Sequence, residues 1–133
     1  MKSIKIIRDK KRIKKTGEVF TPSKMVDKII SRMPIKFFRN PNTIFIDSCC
    51  GEGNIIIQII LKKLEFDHTV DEIIDSIYGC DYMEDNVEIC RTRILETLKV
   101  QDSEFYRELI KKRIICFDSI NNSIYDKFAF TNG

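Results

Sequence analysis

Asp47, Gly51, Gly53 and Asp81 are the residues whose types and spacing best prepare this chain for chemistry. Asp47 closes an apolar run, Ile44-Phe45-Ile46, that reads as a buried strand. A short loop through Gly51-Glu52-Gly53 follows and opens an apolar helix over Ile55 to Leu61. Two glycines at that spacing let the backbone pass close to a ligand, which any side chain would obstruct. The missing residues narrow the ligand. A dinucleotide fingerprint needs a third glycine, and position 56 is isoleucine. It would also avoid a carboxylate just before the loop, where a pyrophosphate must sit. A P-loop needs Gly-Lys-Ser/Thr, and here Asn54-Ile55 follow the second glycine. An acid ahead of the loop instead suits a ligand that carries a cationic amine.

The loop has a family resemblance. Asp47-Ser48-Cys49-Cys50-Gly51-Glu52-Gly53-Asn54 resembles the Asp-Pro-Ala-Cys-Gly-Ser-Gly loop of adenine-specific DNA methyltransferases that methylate the exocyclic amine. Upstream, Thr16-Gly17-Glu18-Val19-Phe20-Thr21-Pro22 looks like that family's Gly-x-x-x-Thr-Pro motif, which opens a helix beside the cofactor. Downstream, Gly79-Cys80-Asp81-Tyr82 looks like the end of its second strand, and Cys116-Phe117-Asp118-Ser119 like its third motif. The order of the four motifs is the family's, and they span nearly the whole chain.

The resemblance implies S-adenosylmethionine as cofactor. It places Thr21, Asp47, Cys50, Gly51, Gly53, Asp81, Tyr82 and Asp118 around that cofactor. Asp81 would bind the ribose hydroxyls, Tyr82 would lie against the adenine ring, and Asp118 would meet the adenine amine. Each has a plainer reading: Asp81 as a helix N-cap, Tyr82 as core, Asp118 as an ordinary turn aspartate, Thr21 as a cap. Glu52 stands where the family has serine and Ser48 where it has proline; the first change brings extra negative charge near the cofactor carboxylate.

Phe128-Ala129-Phe130-Thr131-Asn132 reads like the family's fourth strand, which there runs into Asn/Asp-Pro-Pro-Tyr/Phe. Asn132 would be the catalytic acceptor of an amine hydrogen on a flipped adenine. Gly133 follows, and the prolines and aromatic are absent. The expectation is a cofactor-binding portion without its base-gripping half, inactive as an isolated chain. The alternatives are a non-catalytic accessory or regulatory subunit that binds the cofactor, and a degenerate remnant that serves as a protein- or DNA-interaction module.

The elements that must position these residues alternate. Thr21 is expected to cap, and Pro22 to begin, a helix carrying Met25, Ile29, Ile30 and Met33. Pro34 and the Arg39-Asn40-Pro41-Asn42 turn then lead to the first strand. A second strand is expected within Ile73 to Cys80, and a helix from Glu84 with Val87, Cys90, Ile94 and Leu98 inward. A further helix through Phe105, Leu109 and Ile110 precedes a strand from Arg113 to Phe117, then a loop from Asn121 to Tyr125. Strand–helix alternation implies right-handed crossovers and a parallel sheet. By the resemblance this is a Rossmann-like α/β methyltransferase fold, a partial parallel sheet of order 3-2-1-4 with helices on both faces. Its ligand would lie above the carboxyl ends of strands one and two.

The 133 residues suit one domain, expected over 16–133 behind a basic arm over 1–15. Net charge is +3, too mild by itself to argue for nucleic acid. Lysines and arginines crowd the first fifteen residues, however, as either a solubilising tail or a phosphate-contacting arm for DNA. The last strand, apolar and unpaired at a sheet edge, implies a homo-oligomer, a partner protein that covers it, or a polypeptide that is a fragment of something longer. Five cysteines form no Cys-x-x-Cys pair and no zinc spacing, so they read as small buried thiols in a reducing cytoplasm, with no metal. His68, in a polar connection, reads as a surface residue. No apolar run approaches membrane-spanning length.

Overall fold

The computed structural model describes residues 22–129. The basic segment, Thr21 and Asn132 lie outside these.

Helix α1 (Ser23–Arg32) starts at Pro22, whose carbonyl accepts from the Met25 and Val26 amides, each at 3.0 Å. Proline is thus the N-cap, one position before the place the sequence suggests. Met33, held extended by the following proline, ends the helix. The expected plain turn before the first strand contains a short helix, α2 (Ile35–Arg39). It exists to bury Phe38, which is 1% exposed and stacks on Phe45 with ring centroids 5.2 Å apart.

Strand β1 (Phe45–Asp47) leads through the glycine loop into α3 (Asn54–Glu65). Helix α3 has few polar positions because two apolar clusters need it. Ile55 and Ile59 join Val26 and Phe38, while Ile56, Ile57 and Ile60 join the main core. Residues 73–76, expected in the second strand, begin otherwise: α4 (Val70–Asp75) occupies this stretch, and β2 (Ile77–Asp81) starts after it. The cause is a capping box. Thr69 Oγ1 accepts from the Glu72 amide at 3.1 Å, and the Glu72 carboxylate accepts from the Thr69 amide at 2.8 Å.

Helix α5 (Glu84–Thr97) buries Val87, Cys90 and Ile94 as its spacing requires. Ser103 then caps α6 (Glu104–Arg113), which runs directly into β3 (Ile114–Cys116). All strand pairs are parallel in the order β1-β2-β3, with Phe45 opposite Ile77 and Gly79 opposite Ile114. Central β2 needs its glycine. A Cβ on Gly79 would lie 2.8 Å from Ile56 Cδ1 and 3.3 Å from Cys50 Cβ, so its absence lets α3 and the loop close onto the strand.

The end of the chain corrects the sequence reading. Ser123 Oγ accepts from the Asp126 amide and caps α7 (Ile124–Phe128), where a loop and then a strand were expected. Phe128 closes this helix and packs edge-to-face on Tyr78 at 4.8 Å. Ala129 is left-handed, with φ 56°. The expected strand therefore does not begin at Phe128–Ala129; Phe130 and Thr131 lie outside the described residues. Two smaller corrections follow from burial. His68 is 7% exposed, not on the surface, and Cys49 and Cys116 are exposed, not buried.

Candidate functional site at the carboxyl ends of β1 and β2

Parallel strands deliver Asp47 and Asp81 to the same edge of the sheet, and the loop between β1 and α3 is folded across it. Three amides fix that loop. The Cys50 amide donates to the Cys80 carbonyl at 2.8 Å, which extends the β1–β2 pairing past the end of β1. The Gly53 amide donates to the Cys50 carbonyl at 2.8 Å, closing a tight turn. The Gly51 amide donates to Asp81 Oδ1 at 3.2 Å. Gly51 and Gly53 both take positive φ, 54° and 92°. Gly53 is doubly required, since a Cβ there would sit 2.7 Å from Cys90 Sγ.

Asp81 is a hub. Its Oδ2 accepts from the Met83 amide and from Asn86 Nδ2, each at 3.0 Å, so it also orders the start of α5. Met83, not Asp81, is the N-cap of α5, and a ligand role stays compatible with these bonds, because a carboxylate offers about four acceptor positions. Asp47 is 4% exposed and accepts from the Cys49 amide at 3.1 Å. Burial raises its pKa from the ordinary 3.8 to about 6, against that hydrogen bond, and the charge of Asp81 adds to the rise. The two acids share one small, partly dry edge.

The β3 side is tied in by Ser48, whose carbonyl accepts from Ser119 Oγ at 2.7 Å and from the Cys80 thiol at 3.2 Å. This makes Ser48 a junction between the glycine loop and the loop after β3. Asp118, by contrast, spends its carboxylate on its own turn. Oδ1 accepts from the Ile120 and Asn121 amides and Oδ2 from Asn121 Nδ2 at 2.7 Å, and the Asn121 side chain leads in holding its pKa below the ordinary value. Tyr82 is 62% exposed beside Asp81 and so is not core. Cys50 is buried beneath the loop, where the neighbouring Cys90 thiol and then burial keep it protonated. Burial likewise pushes Cys80 up to about 12 and raises Cys49 and Cys116, so none of these thiols is a ready nucleophile at neutral pH.

Sequence reasoning missed Arg93. Its Nη1 reaches from α5 to donate to the Glu52 carbonyl at 2.8 Å and to Asn54 Oδ1 at 2.7 Å. Separated by some forty positions from the loop it grips, it gave no local signal. Arg93 and Asn54 also line a cavity of about 190 Å³ with Ser23, Val26, Asp27 and Gln58. A second cavity, about 300 Å³, lies between Ile46, Ser48 and Ser119 and the start of α7. A cleft of about 320 Å³ between α5 and α6 is lined by mixed charges and includes no residue of the loop. Among the described residues no group of three or more His, Cys, Asp or Glu is set to hold a metal, and no helix is long and apolar enough to cross a membrane.

A parallel α/β sheet with a glycine loop and two acids at its carboxyl edge defines a ligand-binding domain of the kind that holds a nucleotide-like cofactor. The chain belongs to the N-6 DNA methylase family, whose model matches residues 7–111. That span takes in the segment around Gly17 and Pro22, the glycine loop and Asp81; Asp118 and Asn132 fall beyond it. Membership places the chain among methyltransferases of DNA, a family whose members generally use S-adenosylmethionine. No curated protein and no solved structure matches the chain.

Proposed function

We propose that this chain binds S-adenosylmethionine above the carboxyl ends of β1 and β2, as the cofactor-binding portion of an adenine-specific DNA methyltransferase. The observation that carries the reading is the Gly51–Asp81 link: one hydrogen bond joins the backbone that a ligand must approach to the acid that a ribose would meet. The residues present fit the cofactor. Two positive-φ glycines let the loop backbone come close to a ligand, and Asp47 supplies a carboxylate for a cationic amine. When bound, the sulfonium supplies an electrophilic methyl group. The chain's own residues bind and orient: Asp47 toward the amino-acid part, Asp81 toward the ribose, Tyr82 toward the adenine face. Asp118 would meet the adenine amine through the acceptor position that its own turn leaves open.

The finer features of the family belong to this proposal. They include a fourth strand beside β1 that gives the order 3-2-1-4, Asn132 as the acceptor for the target amine, DNA phosphates on the basic arm, a partner or second copy beside the sheet edge, and a cytoplasmic location.

Thermal unfolding with S-adenosylmethionine, S-adenosylhomocysteine and NAD tests the binding. At a hundred times its dissociation constant a ligand stabilises by about 2.7 kcal/mol, which for a domain of this size raises Tm by roughly 10 °C. A shift with the methyl-donor pair and none with NAD is expected. No shift with any of the three overturns the proposal.

A further inference from the structure

We propose that Arg93 is a positioning residue for the glycine loop and, resting on the cofactor reading above, sets the affinity for the amino-acid part of S-adenosylmethionine. The loop presents a physical problem. Glu52 sits between two glycines, and glycine loses more conformational freedom on ordering than any other residue. The amides of Cys50, Gly51 and Gly53 are held by Cys80, Asp81 and Cys50 respectively. The peptide carbonyl between the two glycines is held from a different element, by the Arg93 guanidinium at 2.8 Å. The same nitrogen fixes Asn54, the first residue of α3, at 2.7 Å.

Helix stability does not account for a cation in that place. Arg93 approaches the amino end of α3, where the helix dipole disfavours positive charge. Its bonds to Glu52 and Asn54 are charge-assisted, the stronger kind of hydrogen bond. Its geometry serves the loop: α5, which Asp81 orders through Met83 and Asn86, reaches back through Arg93 to the glycines. The two anchors hold neighbouring groups of one turn, the Gly51 amide from Asp81 and the Glu52 carbonyl from Arg93. Arg93 also forms a wall of the cavity where the start of α1 meets the loop, beside Ser23 and Asp27.

Two ligands separate positioning from general stability. S-adenosylhomocysteine carries the amino-acid part; 5′-methylthioadenosine shares the adenosine and sulfur but lacks it. In Arg93→Ala, calorimetry is expected to show about tenfold weaker S-adenosylhomocysteine binding, the worth of a lost charge-assisted hydrogen bond, with 5′-methylthioadenosine changed less than twofold. Arg93→Lys, which keeps a cationic donor, is expected to recover part of the loss. Hydrogen exchange of the free protein gives a readout without ligand: amides 50–53 of Arg93→Ala should exchange faster while those of β2 keep their protection. Equal weakening of both ligands, or unchanged exchange in the loop, overturns the inference. If the wild-type protein binds neither ligand, the cofactor reading fails, and loop exchange alone then decides whether Arg93 positions the loop.

Discussion

The Gly51 amide donates to the Asp81 carboxylate across 3.2 Å, joining residues thirty positions apart at the ends of adjacent parallel strands. This bond makes the glycine loop part of the sheet edge. The same carboxylate takes the Met83 amide and the buried Asn86 side chain, so the loop and the first turn of α5 share one anchor.

Asp81→Ala removes that anchor and takes one acceptor from the buried Asn86 side chain. A loss of about 1–3 kcal/mol is expected in urea unfolding. Asp81→Asn is expected to cost nearly as much, because its amide NH2 must face a donor. A variant as stable as wild type would mean that Asp81 is not the anchor.

Gly53→Ala meets two obstacles, positive φ and the Cys90 sulfur. Left-handed backbone costs about 1–2 kcal/mol and overpacking about 1–3, so a loss of roughly 2–5 kcal/mol is expected. Adding Cys90→Ala should return the overpacking part and leave the backbone part. A double mutant no more stable than Gly53→Ala alone would rule out the contact.

Asp47 makes stability pH-dependent. Its folded pKa, about 6, lies above the unfolded value of 3.8, so the folded state holds the proton more tightly. Its contribution is full below 3.8 and is lost as pH rises toward 6, a fall of about 3 kcal/mol. Asp47→Asn should flatten that slope and be the more stable protein at pH 8. Denaturant titrations at four pH values decide the matter; a wild-type slope of opposite sign across this window would contradict it. A ligand with a cationic amine should also bind more weakly as pH drops through 6.

Lys63 acts at the alkaline end. It is fully buried, with Nζ 2.9 Å from Ser76 Oγ and 4.7 Å from the Phe45 ring centroid. Burial lowers its pKa from 10.5 to about 8, with Glu72 opposing. The unfolded chain therefore binds the proton more tightly between these values, and stability should rise by about 3 kcal/mol from pH 8 to above 10. Lys63→Met should abolish the rise and stabilise the protein at neutral pH, provided the loss of a donor to Ser76 costs less than burying the charge. A flat wild-type profile across pH 8–10 would refute it.

His68 is buried, and neither ring nitrogen is hydrogen-bonded to any group among the described residues. His68→Leu removes two unsatisfied polar atoms and is expected to stabilise by about 1–3 kcal/mol in thermal or urea unfolding. Destabilisation would point to a partner for the ring.

Much of this arrangement was legible in the sequence where the signal is local. The apolar run into Asp47, the Gly51-x-Gly53 turn and the α5 stripe of Val87, Cys90 and Ile94 each sit within one element, and local chemistry dictates their form. The Thr69-Val70-Asp71-Glu72 capping box was equally local, and its signal stood in the sequence ahead of the residues taken for a strand. Phe128 illustrates the opposite case. An apolar aromatic segment suits a strand by composition, and it becomes the end of a helix because Ser123 caps one and Tyr78 receives the ring.

By itself the sequence determined the alternating α/β class, the glycine loop with its acid, and the match to the N-6 DNA methylase family, since each depends on residues read along the chain. Only tertiary structure decided that Asp81 and Arg93 both hold that loop, that Asp118 accepts bonds within its own turn, and that Lys63 and His68 are buried. Those outcomes depend on which distant groups the parallel sheet brings within hydrogen-bond reach and which it shields from water, and neither is written in the spacing of neighbouring residues.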